Sequence, residues 1–215
     1  MPMGLNFGTE FIYTLVIVFL CFLVYYKTKE MYDLTKHKGI KYFRFAFLFF
    51  GLSYACRFLI HLIQLSLIAF DFILPKRFLF PVFMVPVGYF STMAILFLAY
   101  SLVWKKLKYR KFINLANIIA LTISISAFLY HSPFVLSLIQ LPLLISILFI
   151  VAKKHSKKKK TNTLGIYFLI IAFWFVSLFL LGPKGKMPYE VMITLELISI
   201  ALFSTIYYKV SKWIK

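Results

Sequence analysis

Apolar residues run in seven long blocks, approximately 9–26, 44–70, 79–104, 112–130, 133–152, 163–182 and 188–208, and the polar residues gather in the gaps between them. A helix that crosses a bilayer needs about 20 apolar residues, because each adds 1.5 Å against a hydrocarbon layer about 30 Å thick. Every block meets that length. The stretch Leu15-Val-Ile-Val-Phe-Leu-Cys-Phe-Leu-Val24 is apolar on all sides, with none of the alternation of a barrel strand. Helices satisfy their own backbone groups where lipid offers no partner. The pattern predicts an all-α, polytopic bundle of seven transmembrane helices forming one domain over residues 1–215.

The gaps are short. The longest, about 27–43, predicts an interfacial helix ended by Gly39. His131-Ser-Pro133 and Gly182-Pro-Lys-Gly-Lys-Met-Pro188 predict tight turns, since proline cannot continue a preceding helix without losing a backbone bond. Pro81, Pro86 and Pro142 fall inside predicted helices and predict static bends. Ala116, Ala120 and Ser124 on the fourth helix, and Gly51 and Ala55 on the second, form small-residue stripes that let helices approach closely.

Composition agrees with the pattern: 62% of the 215 residues are hydrophobic, the mean hydropathy is +0.90, and 14% are charged. A soluble domain carries about 25% charged residues. A net charge of +19 points to nucleic acid in a soluble protein, but here its distribution reads differently. Lys27, Lys29, Lys36, Lys38, Lys41 and Arg44 follow the first block. Lys105, Lys106, Lys108, Arg110 and Lys111 follow the third. Lys153, Lys154 and Lys157 to Lys160 follow the fifth, and Lys209, Lys212 and Lys215 follow the seventh. Twenty of the 25 basic residues therefore fall on one side of the bundle. Basic residues near spans stay cytoplasmic, so the N-terminus is expected outside and the C-terminus inside the cell membrane. Anionic lipids are the expected partner of the basic face, and no nucleic acid is expected. The first block reads as retained: no basic residues precede it, and Tyr25-Tyr26-Lys27 is no small-residue cleavage site.

Polar side chains inside the blocks carry the functional information, because a charge at mid-helix costs about 2.5–3.5 kcal/mol. On the second block Tyr54, Arg57, His61 and Gln64 fall within an arc of about 80° at the helical period. Glu196 on the seventh block is the expected counter-charge of Arg57, with Ser199 on its face. The reading is an ion pair across a polar cavity that takes a small ligand. Tyr89, Thr92 and Tyr100 on the third block, Asn114, Asn117 and Ser124 on the fourth, and Tyr167, Trp174 and Ser177 on the sixth follow the same inward period. Tyr207 joins Ser199 on the seventh. Cys21 and Cys56 lie inside blocks and read as packing residues. No metal-spaced His/Cys cluster and no activated nucleophile motif appears, so no catalytic residue, metal or cofactor is assigned.

Seven helices invite comparison with rhodopsins, but Leu195-Glu-Leu-Ile-Ser-Ile-Ala-Leu-Phe-Ser-Thr205 has no lysine to hold retinal. The stretch Leu34-Thr-Lys-His-Lys-Gly-Ile-Lys-Tyr-Phe-Arg-Phe-Ala-Phe-Leu-Phe-Phe-Gly-Leu-Ser-Tyr-Ala-Cys-Arg57 resembles the first cytoplasmic loop and second helix of multi-pass, seven-helix sensor modules in archaeal and bacterial signalling proteins. That resemblance covers 24 residues. It implies a prokaryotic sensory or accessory membrane domain whose signal passes to a separate protein partner, since the kinase output domain of those proteins is missing here. The alternative is a small-solute or proton-coupled transporter with a 3+1+3 helix arrangement.

Overall fold

A computed structural model describes residues 3–69, 76–105, 108–130, 133–157, 162–181 and 188–212. Seven helices account for nearly all of them: α1 Met3–Thr35, α2 Lys38–Ala69, α3 Lys76–Val103, α4 Tyr109–Leu129, α5 Pro133–Lys157, α6 Asn162–Leu181 and α7 Tyr189–Lys212. Each matches one of the predicted blocks, which it covers to within one residue at either end. Six are long and apolar enough to cross a membrane, namely those containing Gly8–Thr35, Lys38–Leu67, Val82–Val103, Tyr109–Leu129, Phe134–Lys153 and Tyr189–Lys212. In α6 the apolar stretch is Gly165–Leu180.

The helices are apolar on both faces, for two reasons. One face packs inward; the other carries large exposed side chains such as Ile12, Leu15 and Phe19 on α1 and Leu115, Ile118 and Ile125 on α4. On α4 the inner stripe is Phe112, Ala116, Ala120, Ile123, Ser124 and Ala127, at the helical spacing. An exposed belt of this kind suits lipid and would associate in water.

Contacts fix an antiparallel order. Along α1 and α2, Glu10 meets His61, Tyr13 meets Tyr54, and Tyr25 meets Arg44. Along α2 and α3, Ser53 bonds to Val87, Phe49 stacks on Phe97, and Tyr42 meets Tyr100. The ends of α1, α3 and the starts of α2 and α4 thus share one face, which carries their lysines and arginines. We call it the basic face and the opposite end the N-terminal face.

Glycines stand at tight contacts between helices, two of them at stripe residues Ser124 and Gly51. Gly88 on α3 lies against Ser124 of α4 and Leu136 of α5; a methyl group built on it would sit 3.2 Å from the Ser124 Oγ and 3.3 Å from a Leu136 methyl. Gly51 likewise lies against the Cys21 Cβ. Pro86 and Pro142 sit inside α3 and α5, and both helices continue through them.

The 27–43 segment departs from expectation. No separate interfacial helix forms; α1 runs on to Thr35, and the break falls at Lys36, whose φ is 50°. Lys36 still donates its N–H to the Tyr32 carbonyl at 2.7 Å, so the chain turns after one last helical bond. His37 then opens α2: its Nδ1 accepts the Gly39 N–H at 3.2 Å and its carbonyl accepts Ile40 at 3.0 Å. Gly39 therefore starts a helix and does not end one. A Cβ there would lie 2.9 Å from the His37 ring and 3.1 Å from the Trp104 Nε1, so the position favours glycine. Pro133 is the first residue of α5, where its missing N–H costs nothing. The predicted turns at 131–132, 157–160 and 182–187 lie outside the described residues, apart from Lys157 at the end of α5.

Candidate functional site

Three layers stack through the bundle, and α2 orders them. Nearest the basic face, Tyr42, Tyr100 and Phe112 pack ring on ring, with Tyr100 and Phe112 stacked at 4.0 Å. The Tyr167 hydroxyl closes this layer by bonding to Ser101 at 2.9 Å. The middle layer is aromatic. Phe50 lies 4.4 Å from the Trp174 ring and 5.3 Å from the Phe173 ring, and Phe203 of α7 lies 4.8 Å from Phe173. A gap bounded by these four rings and Phe47 holds about 10 Å³, the room of one water, and its walls are apolar throughout.

The third layer is polar. Tyr54 is fully buried, and its hydroxyl donates to Ser177 of α6 at 3.2 Å. Ser177 in turn donates to the Phe173 carbonyl at 3.0 Å. A hydroxyl has one proton, so the 3.1 Å bond between Tyr13 and Tyr54 must be donated by Tyr13. The 2.9 Å bond between Tyr13 and Ser199 is then donated by Ser199. Four hydroxyls from α7, α1, α2 and α6 form one directed chain, Ser199 to Tyr13 to Tyr54 to Ser177, ending on a backbone carbonyl. Every proton in it has an acceptor, which is what burial demands.

Charged groups lie next to this chain, one turn further towards the N-terminal face. Arg57 is half-buried, its guanidinium 4.6 Å from the Tyr54 ring centroid. Its Nε is shielded from solvent and has no hydrogen-bond partner among the described residues. Glu196, 5% exposed, lies one turn from Ser199 on α7. Arg57 and Glu196 thus flank the hydroxyl chain from opposite helices. The Tyr54 ring is thus a neighbour of the Arg57 guanidinium, and further along the same α2 stripe His61 stands at ion-pair distance from Glu10. The Glu10 Oε2 lies 3.7 Å from the His61 Nε2, both side chains about 15% exposed. Gln64, one turn beyond His61, is half-buried.

The other expected lining residues do not share this site. Tyr89 donates to Asn117 at 2.9 Å, which ties α3 to α4. Thr92 and Ser91 accept the Gln140 amide at 3.1 and 2.7 Å, which ties α3 to α5. Tyr100 belongs to the layer at the basic face, and Trp174 to the aromatic floor. Asn114 is exposed, and Ser124 bonds back to the Ala120 carbonyl against Gly88. Tyr89, Thr92, Tyr100 and Trp174 do lie inward, but they meet different neighbours and so fall into separate clusters.

Sequence reasoning missed Glu10, Tyr13 and Gln140. Glu10 and Gln140 were visible as polar groups inside apolar blocks. Tyr13 had no such signal, since tyrosine near a span end commonly marks the interface.

Comparison with known proteins places the chain among relatives without assigning a chemistry. An "Uncharacterized protein" of Archaeoglobus fulgidus is 29% identical over 210 residues, covering 94% of this chain and 91% of the relative. No solved structure matches the chain. The match to the family of unknown function DUF6962 spans residues 7–186, through six of the seven helices, and the chain belongs to that family.

Proposed function

We propose that the protein is a non-enzymatic, ligand-binding membrane module of the sensor type, with seven crossings, the N-terminal face outside the cell and the basic face in the cytoplasm. The site is the polar layer: Arg57 and Glu196 beside the Ser199–Tyr13–Tyr54–Ser177 chain, with Glu10 and His61 at its entrance. The observation that carries this reading is the convergence of polar groups from four helices at one level, directly above an aromatic floor whose gap has room for no more than one water. Polar groups inside a membrane bundle are retained at a cost, which marks such a level as functional. The floor supports binding over passage, because a solute crossing the bundle would have to displace Phe50, Phe173, Trp174 and Phe203. Occupancy at the polar layer would reach the cytoplasm through tilts of α2 and α7, and a protein partner would read them at the basic face.

The test is purification in native-lipid nanodiscs, followed by mass spectrometry of co-purifying small molecules. A molecule retained by the wild type and lost from both Arg57→Gln and Ser199→Ala supports the site. Solute uptake by proteoliposomes that stops in Arg57→Gln would replace this reading with the transporter. Reporter tags at the two chain ends should report opposite compartments; a shared compartment removes the seven-crossing topology.

A further inference from the structure

A second site lies at the opposite end of the bundle, around Arg44. This residue sits near the start of α2 and faces α1. Its guanidinium carbon lies 5.1 Å from the Tyr25 ring centroid and 5.7 Å from that of Tyr32, both on α1, and 5.6 Å from that of its neighbour Phe45. Tyr25 and Tyr32 are seven residues apart and share a helix face. The three rings hold the guanidinium by cation–π attraction, which uses its faces and leaves its N–H groups unspent. Among the described residues the buried Arg44 Nε has no hydrogen-bond partner and Arg44 forms no ion pair.

A second cation lies beside it. The Lys41 Nζ is 6.0 Å from the same Phe45 ring, and Lys41 and Arg44 are neighbours on one helix face at i, i+3. Two like charges there repel unless an anion sits between them. The carboxylates of the adjoining segment are engaged elsewhere: Glu30 bonds to Lys27 at 2.9 Å and Asp33 pairs with Lys36 at 3.6 Å. A buried donor and two uncompensated cations thus stand where α1 and α2 leave the apolar belt. Exposed Tyr26 and Leu34 on α1 mark that level.

We propose that Arg44 and Lys41 bind the phosphate of an anionic phospholipid headgroup in the leaflet at the basic face. A guanidinium matches phosphate oxygens with paired N–H bonds, and the Tyr25–Tyr32–Phe45 box aims it. The acyl chains would run along the exposed apolar side of α1, past Tyr26 towards Phe19. The site is independent of the polar layer at the N-terminal face.

Native mass spectrometry of the whole protein, released from nanodiscs, tests this. Wild-type protein should retain phosphatidylglycerol and release phosphatidylcholine. Arg44→Gln should weaken phosphatidylglycerol retention about tenfold, the effect of losing a charge-assisted pair of hydrogen bonds. Arg44→Lys keeps the charge and the fold but loses the paired geometry, and should weaken retention by a smaller factor. Arg110→Gln, on an exposed position of α4 in the same leaflet, should leave it unchanged. Equal retention by wild type, Arg44→Gln and Arg44→Lys overturns the proposal. So does an equal loss in Arg44→Gln and Arg110→Gln, which would reduce the effect to surface charge. Displacement of the bound lipid by millimolar inorganic phosphate would assign the site to a free anion and overturn the lipid assignment.

Discussion

Tyr13 and Ser199 lie 186 positions apart and share a hydrogen bond of 2.9 Å, which closes the first helix onto the last. The bond is one link of a directed chain of four hydroxyls, and that gives it a measurable signature. Interhelical hydrogen bonds in membrane proteins contribute about 0.6 kcal/mol on average. Tyr13→Phe removes two of them, those to Ser199 and Tyr54, and should cost about 1 kcal/mol in a reversible unfolding assay in detergent. The double-mutant cycle of Tyr13→Phe with Ser199→Ala should return a coupling of about 0.6 kcal/mol. Strict additivity would show that the two side chains do not act together.

Gln140 contrasts with that chain. It is fully buried, its amide N–H groups serve Ser91 and Thr92, and its Oε1 has no partner among the described residues. An orphaned buried carbonyl offsets much of what the two bonds contribute. Gln140→Leu keeps the volume and removes the orphan, so its stability should fall within about 1 kcal/mol of wild type. Gln140→Ala leaves a cavity between α3 and α5 and should lose about 3 kcal/mol. Thermal denaturation of the two variants side by side separates volume from hydrogen bonding; equal losses would mean that the amide itself is what matters.

At Gly88 the constraint is space. Three helices meet there, and the nearest backbone atom to an added Cβ, the Ser124 Cα, is 3.4 Å away. Gly88→Leu has to push α4 or α5 outward and should destabilise the bundle by about 3 kcal/mol. Gly165 has nothing within 4 Å of an added Cβ, so Gly165→Ala serves as the paired control. It should be stabilising by about 1 kcal/mol through helix propensity. A melting temperature that falls equally in both variants would remove the packing argument.

Lys36 holds a left-handed backbone, φ 50°, at the turn between α1 and α2. That conformation costs a residue with a Cβ about 1–2 kcal/mol, and glycine avoids most of it. Lys36→Gly should therefore raise stability by roughly 0.5–1 kcal/mol, part of the gain being returned to the more flexible unfolded chain. The loss of the exposed Lys36–Asp33 pair, 3.6 Å apart, offsets little of this. A fall in melting temperature would indicate that the turn is not strained.

How much of this was legible in the chain depends on the range of the interaction responsible. The seven apolar blocks are local features, and each became a helix, because the hydrogen bonds of a helix close within four residues whatever surrounds it. The small-residue stripe at Ala116, Ala120 and Ser124 was legible for the same reason: the spacing alone places those residues on one face. The turn at Lys36 was not. Residues 27–43 read as a loop with Gly39 at a helix end, but the His37 ring and Trp104, just past the end of α3, crowd a side chain at that position and favour the glycine.

The site divides in the same way. Tyr54, Arg57, His61 and Gln64 share a face by periodicity, and Glu196 and Ser199 share another, so the polar level itself could be drawn from the residues. Which groups meet across it could not. A helix face states a direction but not a neighbour, and the neighbour depends on rotation, depth and packing order. Those are set by interdigitating side chains far apart in the chain. Only the tertiary structure brought Tyr13 into the hydroxyl chain and set Glu10 against His61. It also laid the Tyr54 ring beside Arg57 and parted Tyr89, Thr92, Tyr100 and Trp174 into contacts between different helix pairs.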